Sequence, residues 1–235
     1  MSGTQGESEP RALSTNELDR LGDWVSARRG DIAANTETAS RLAFWIKVAQ
    51  TLDAEALGVL LTAKELNEER DANTGILNRR GIEGSLGDTL EWQVRSGQPV
   101  SLVLMDLDRF RAFNEAHGRQ AADMVLGEWI GFLKSRMRRT DTLGRVGGQE
   151  VVALLRGATE DQSVQMFDRI RADMSAALKS CLDALGIDDT VTMSVGVAQH
   201  QEGRTAADLL DQVRIRTAQA KAGGRNLVVG GAPQS

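Results

Sequence analysis

Arg138-Arg-Thr-Asp-Thr-Leu-Gly-Arg-Val-Gly-Gly-Gln-Glu-Val-Val152 is the stretch on which the reading of this chain turns. A strand-like run, Thr142 to Val146, stops at Gly147-Gly148, and a second apolar run, Val151 to Leu155, begins almost at once. Two such runs around Gly-Gly predict a β-hairpin whose glycines take up the positive φ of a tight turn. Gln149 and Glu150 sit at the tip, and Arg138 and Asp141 stand three apart on the approach. Bare backbone at a turn, with a carboxylate beside it and arginines behind it, suits a phosphate-and-metal site. The plain alternative is an exposed hairpin with solvated charges.

Composition bounds what surrounds this hairpin. The 235 residues allow one or two domains with a true core, and 41% apolar and 26% charged residues are ordinary globular values. A net charge of -5 argues against a DNA-binding coat or a polybasic membrane surface, though a local arginine cluster can still hold phosphate. The lone Cys181 forms no internal disulfide, which points to a reducing compartment. No apolar run approaches the roughly 18 residues of a membrane span, so a soluble, cytoplasmic protein is expected.

Upstream, residues 1–14 are rich in Ser, Gly, Glu and Pro and read as a disordered tail. Residues 15–70 read as helices, the first with Leu18, Leu21, Trp24 and Val25 on one face. They predict a small helical region for dimerisation and signalling, completed by a second copy or packed on its own C-terminal domain. Beyond Asp71 come a helix over 81–96 and an apolar strand from Val100 to Met105. That strand ends at Asp106-Leu-Asp108, two carboxylates placed to hold a divalent cation. A short helix over 109–116 is broken by Gly118, and a longer one follows over 121–137. After the hairpin come a helix over 161–185, a strand over 190–198, a helix over 206–222 and a short strand over 227–229. Helices interleaved with a small, largely antiparallel sheet give an α/β sandwich, an elaborated ferredoxin-like fold. Cys181 reads as a half-buried helix residue, His117 as a packing residue and His200 as a loop residue with no visible partner.

Six segments in order resemble the GGDEF (diguanylate cyclase) family. Asp71-Ala-Asn-Thr-Gly-Ile-Leu-Asn-Arg-Arg80 is similar to its D-x-L-T-G-L-x-N-R-R opening, and Asp106-Leu-Asp-Arg-Phe-Arg-Ala-Phe-Asn114 to D-x-D-x-F-K-x-x-N. Gly118 and Asp123 fall where G-H-x-x-G-D ends, and Arg145-Val-Gly-Gly-Gln-Glu-Val151 lies on R-x-G-G-D/E-E-F. Thr192 to Val197 resembles S-x-S-x-G-x, and Ala220-Lys-Ala-Gly-Gly-Arg-Asn226 matches A-K-x-x-G-R-N. The resemblance runs from residue 71 to about 231 and implies a nucleotidyl-cyclase palm. It implies condensation of two GTP into cyclic di-GMP across a homodimer, each 3′-hydroxyl attacking the other α-phosphate with Mg²⁺ neutralising charge.

Residue by residue, the resemblance assigns metal binding to Asp106, the Leu107 carbonyl and Glu150. Asn114 and Asp123 read guanine, Lys221 and Arg225 hold the triphosphate, and Gly147 and Gly148 let backbone approach the phosphates. Glu150 and Arg111 are the candidate catalytic residues. The departures carry as much weight. Gln149 stands where the family has the first acid of its signature, a metal ligand. Val151 replaces the aromatic, Arg111 the lysine, and Arg119 the histidine. Losing one electrostatic element of this kind costs on the order of 10²–10³ in rate.

Arg138-x-x-Asp141 matches the family's inhibitory site for cyclic di-GMP, and Arg169 falls on a further family arginine that reaches that ligand. The plain reading is a surface ion pair worth under about 1 kcal/mol. Three functions follow. The first is a catalytically weak or inactive cyclic di-GMP receptor. The second is an active, product-inhibited cyclase, and the third a GTP-binding or scaffolding module.

Overall fold

The computed structural model describes residues 69–231. The predicted tail, 1–14, and nearly all of the predicted helical region, 15–70, lie outside the described residues. The elements are α1 (Arg79–Ser96), β1 (Val100–Leu107), α2 (Phe110–Arg136), β2 (Thr142–Arg145), β3 (Glu150–Arg156), α3 (Glu160–Ala184), β4 (Met193–Gln199), α4 (Ala206–Ala222) and β5 (Val228–Val229). None of the helices among the described residues is long and apolar enough to cross a membrane.

The five strands lie in the order β2-β3-β1-β4-β5. The pairs β2–β3, β3–β1 and β1–β4 are antiparallel, and β4–β5 is parallel. The run β1-α2-β2-β3-α3-β4 is therefore the ferredoxin-like core. Helix α1 precedes it, and α4 with β5 extends its edge. β1 reads as an uninterrupted apolar run because it is the central strand, buried on both faces. Val103, Met105 and Leu107 point into a core shared with α2 and α3, around Trp129 and Phe167. Leu102 and Leu104 point the other way, with Ile82, Leu86, Leu209 and Val213 from α1 and α4. That alternation puts Asp106 and Glu150, paired across β1 and β3, on the α1/α4 face at the end of the sheet.

Local chemistry sets the helix boundaries. Asn78 caps α1 by accepting from the Gly81 amide at 3.1 Å. Thr159 with Gln162 and Thr205 with Asp208 form reciprocal capping boxes that start α3 and α4. The break predicted at Gly118 is present: at φ 83°, ψ 162° it is not helical, and it separates the two helical segments that make up α2. It reorients the chain between Asn114 and Asp123.

Gly196 on β4 is the closest point between the sheet and α4. A Cβ there would lie 2.6 Å from both the amide nitrogen and Oγ1 of Thr217. Neither backbone can retreat without opening the core, so Gly196→Ala is expected to destabilise the domain by about 3 kcal/mol. Urea unfolding followed by circular dichroism measures this, and an unchanged midpoint would contradict the packing.

Candidate functional site

The hairpin crest is built differently from the expected tight turn. Four residues, Val146 to Gln149, separate β2 and β3, and the Val146 amide donates to the Glu150 carbonyl at 3.0 Å. Neither Gly147 nor Gly148 is among the residues with positive φ, which corrects the sequence-based reason for both glycines. A Cβ at Gly147 would sit 2.6 Å from Oε2 of Glu150, so a side chain there would displace the Glu150 carboxylate. The glycine lets the Glu150 carboxylate fold over the crest, whereas a Cβ at Gly148 would meet open space.

Arg145 holds the crest in place. Its guanidinium donates to the carbonyl oxygens of Gly147 (3.3 Å) and Gly148 (2.7 and 3.1 Å). It also donates to both carboxylate oxygens of Asp71 at 3.2 Å. Burial raises the Asp71 carboxyl, but hydrogen bonds from Thr74 and the charge of Arg145 outweigh it and hold the group below its ordinary value. Sequence reading noted both residues only as motif letters. Arg145→Ala is expected to cost about 2 kcal/mol of stability, since it removes the charged partner of Asp71, which keeps only Thr74, and a donor to two crest carbonyls. Because the folded Asp71 pKa is depressed, the pair stabilises above the unfolded pKa. That share is lost as pH falls through the folded value, and is absent from the variant's urea titrations.

Asp106 is 3% exposed and pairs with Lys221 of α4, with Nζ 2.6 Å from Oδ2. Burial raises its pKa, Lys221 offsets only part of this, and Glu150 and Asp108 push it further up. The expected partnership of Asp106 with Asp108 does not form. The carboxylate of Asp108 turns to the sheet edge, accepting from Thr192 Oγ1 (2.7 Å), Ser194 Oγ (2.6 Å) and the Asn226 amide (3.0 Å). Those three donors hold Asp108 in place, so that it ties β1 to β4 and to the turn after α4.

With Asp108 drawn away, α2 starts without a side-chain cap, at Arg109 with φ 54°. Its first amide groups carry a partial positive charge suited to an anion. Arg109, Arg225 and Asn226 are the non-glycine residues of positive φ among those described. All three line one cleft of about 440 Å³ beside this helix start, with Phe110 and Phe113. Strained backbone of this kind is held in place by its surroundings and gathers at binding sites.

The other nucleotide candidates are exposed. Asn114 and Asp123 face solvent on either side of the kink, with Asp123 3.7 Å from Arg119. Arg111 pairs with Glu115 at 2.9 Å. His117 packs on Phe113 and approaches Asp189 at 3.5 Å, in keeping with a packing role. His200 finds a partner in the Arg204 carbonyl, and Cys181 is half-buried against the core, its thiol pushed up by burial.

Asp106, the Leu107 carbonyl and Glu150 present hard oxygen donors at the joined ends of β1 and β3. One or two carboxylates, completed by substrate phosphates, suit Mg²⁺. The residues present thus fit a divalent cation, although no cluster of three or more acidic, His or Cys ligands occurs among the described residues.

The second site lies where α2 ends and β2 begins. The Arg138 amide donates to Asp141 Oδ2 at 2.9 Å, and the Asp141 amide donates to the Arg138 carbonyl at 3.0 Å. The expected alternative of an Arg138–Asp141 ion pair does not form, because the bond runs through the backbone. Among the described residues the guanidinium groups of Arg138 and of Arg169 on α3 make no hydrogen bond or ion pair, although the charge of Arg138 is felt by Asp141. Arg138, Asp141 and Arg169 line one open cleft of about 430 Å³, with Arg136 beside them. Arg136 is held by Asp173 at 3.2 Å and lies over the Phe132 ring. Burial raises the Asp141 carboxyl, against the opposing pull of the Arg138 amide and charge.

A family model described as the diguanylate cyclase GGDEF domain matches residues 68–227. Response regulator PleD of Caulobacter vibrioides (strain NA1000 / CB15N) is 35% identical over 161 residues, covering 68% of this chain and 35% of that protein. Diguanylate cyclase DgcS of Shewanella oneidensis is 30% identical over 182 residues, covering 75% of this chain and 59% of that protein. The chain thus spans between 35% and 59% of the length of these curated relatives. Among solved structures, the coiled coil and GGDEF domain of DgcB from Caulobacter crescentus, in complex with c-di-GMP, superposes with a TM-score of 0.68. That match is 20% identical and covers 82% of this chain and 98% of the other. Diguanylate cyclase SiaD of Pseudomonas aeruginosa, in complex with its activator SiaC, gives a TM-score of 0.64 at 26% identity, covering 92% and 84%.

Proposed function

The chain belongs to the GGDEF diguanylate cyclase domain family, and on that premise we propose that it is a cyclic di-GMP receptor with a weakened catalytic crest. One observation carries this reading: the guanidinium groups of Arg138 and Arg169, which make no hydrogen bond or ion pair among the described residues, open onto one cleft with Asp141. Arginine forks match phosphate oxygens and the guanine edge, and a carboxylate accepts from guanine N–H groups. The ligand joins copies of the chain in a cytoplasmic homodimer, and the region of residues 15–70 carries the change onward.

In the catalytic pocket, Lys221, Arg225 and the start of α2 receive the triphosphate, and Asn114 and Asp123 read the base. Asp106, the Leu107 carbonyl and Glu150 hold Mg²⁺, which when bound neutralises phosphate charge. Gln149 brings no charge to that cluster, and this weakens turnover. A slow, product-inhibited cyclase is the second reading, favoured by Asp106 and Glu150 facing each other across β1 and β3. Isothermal titration with cyclic di-GMP, beside a turnover assay with GTP and Mg²⁺, tests both. Binding with little turnover supports the receptor, and turnover at an ordinary cyclase rate supports the second reading. No binding at all rejects both.

A further inference from the structure

The end of the sheet opposite the crest carries a cleft of about 1120 Å³ in which neither nucleotide site takes part. It lies where β1 begins and β4 ends, between the last turn of α1 and the first turn of α3. Three side-chain polar atoms among the described residues are buried without a hydrogen-bond partner. Two of them, Gln93 Oε1 and His200 Nδ1, belong to the walls of this cleft. His200 Nε2 lies 2.8 Å from the Arg204 carbonyl, which only accepts, so Nε2 carries the proton and Nδ1 of the neutral ring is an acceptor. Gln93 Nε2 donates to the His200 carbonyl, which likewise leaves Oε1 as an acceptor. Two linked residues thus each hold an acceptor without a donor, which costs free energy until a ligand or water fills it. The Gln93–His200 bond is 3.4 Å long, so the Gln93 amide turns toward the cleft at little cost.

The charged groups of the walls call for a cation. Glu160 and Arg216 pair at 2.9 Å and cancel. Glu160 also accepts from the Gln199 and Gly231 amides, and Arg216 donates to the Val197 carbonyl, so both are engaged. Asp161 and Glu202 are exposed and make no hydrogen bond or ion pair among the described residues, which leaves two net negative charges on the walls. Just outside them, Arg95 is drawn to Glu91 at 3.5 Å, and Arg204 faces the charge of Asp208. The start of α3 favours an anion, but Gln199 Oε1 and Thr159 Oγ1 already occupy its Glu160 and Gln162 amides. The end of α1, at Gly97, adds carbonyl dipoles of the opposite sense.

We infer that this cleft binds a small aliphatic polyamine. One ammonium donates to the acceptors of Gln93 and His200, and a second lies against Asp161 and Glu202. An ammonium turns its three donors to acceptors on separate side chains, whereas a guanidinium is a planar fork matched to a single carboxylate. A hard divalent cation needs clustered carboxylates, and no cluster of three or more acidic, His or Cys ligands occurs among the described residues. The methylenes lie along Pro99 and along Val94, an apolar side chain of α1 that is 84% exposed.

Calorimetric titration of the full chain with spermidine tests this. The wild type is expected to bind at one site per chain, with a dissociation constant of about 1 mM or tighter. Gln93→Leu is expected to weaken binding at least about tenfold, although it changes no charge. Asp161→Asn combined with Glu202→Gln is expected to weaken it at least about tenfold as well. These two substitutions fall at exposed positions, so they decide the matter even if Gln93→Leu misfolds, which circular dichroism reveals. Glu128→Gln combined with Asp188→Asn removes the same charge elsewhere on the surface and is expected to change binding by less than about twofold. n-Butylamine, with one ammonium, is expected to bind at least about tenfold more weakly than spermidine. No wild-type binding, unchanged binding by folded Gln93→Leu, or an equal loss in the two acid pairs overturns the inference. So does a lysine-rich peptide that binds more tightly than spermidine, since the occupant is then a protein segment.

Discussion

Gln149→Glu is expected to raise production of cyclic di-GMP from GTP and Mg²⁺ by about 10²–10³-fold, the usual worth of one preorganised electrostatic element in such a site. The position is already well made. The Gln149 carbonyl accepts from the Leu107 amide at 3.4 Å, which ties the crest to the end of β1. The Arg145 clamp holds the neighbouring Gly147 and Gly148 carbonyls. A carboxylate introduced here, next to Glu150 in the chain, adds its charge to the crest with little backbone adjustment. It changes the charge rather than the shape, since Glu and Gln are nearly isosteric. Initial rates of product formation, followed by chromatography, provide the measurement. Asp106→Ala in the same background should abolish the gain, because it removes the buried carboxylate around which the cluster forms. A wild-type rate already at that of the Gln149→Glu variant would mean that the amide is no handicap and that the chain is a working cyclase.

Arg138→Ala is expected to weaken cyclic di-GMP binding by at least about 30-fold, the loss of roughly 2 kcal/mol or more that accompanies removal of an arginine anchor. Among the described residues the guanidinium has no hydrogen-bonded partner to rearrange when it is cut, so the loss falls on the ligand. Its backbone amide still holds Asp141, so the turn at the start of β2 should survive and thermal stability should change little. Arg169→Ala should weaken binding in the same direction from the α3 side of the cleft. Asp141 adds a pH signature. Burial raises its pKa above the ordinary 3.8, so as pH falls it takes up a proton earlier than a solvated aspartate does. Affinity should therefore be full near neutrality and decline on acidification. The decline begins at higher pH than for an exposed carboxylate, and Asp141→Asn should be weaker at neutral pH and flat below it. Equal binding by the wild type and Arg138→Ala would remove the cleft from consideration.

Much of this architecture was legible in the residues. The continuous apolar run of β1, the helical stripes of α2 and α3, and α4 from Ala206 to Ala222 all follow from periodicity and caps, which act over a few residues. The motif letters also named Arg138, Asp141 and Arg169, which the fold brings to one cleft. The partners of the site residues were not legible. Asp71 and Arg145 meet across 74 positions, and Asp108 reaches the Asn226 amide across 118. Asp106 and Asp108 look alike in sequence, yet one lies at the crest with Lys221 and the other is spent on the sheet edge.

The sequence by itself determined the element order, the burial of the central strand on both faces and the missing charge at Gln149. Each of these is written in neighbouring side chains or in a single residue type. Only the tertiary structure decided which carboxylate stays available at the crest and that α2 begins uncapped. It alone decided that Gly147 makes room for Glu150 and that the Arg138 guanidinium opens onto the cleft with Asp141 and Arg169. Such outcomes depend on which groups a chain brings together from distant positions. Hydrogen bonds and ion pairs act over only a few ångströms, so their partners are chosen by strand pairing and helix packing rather than by local preference.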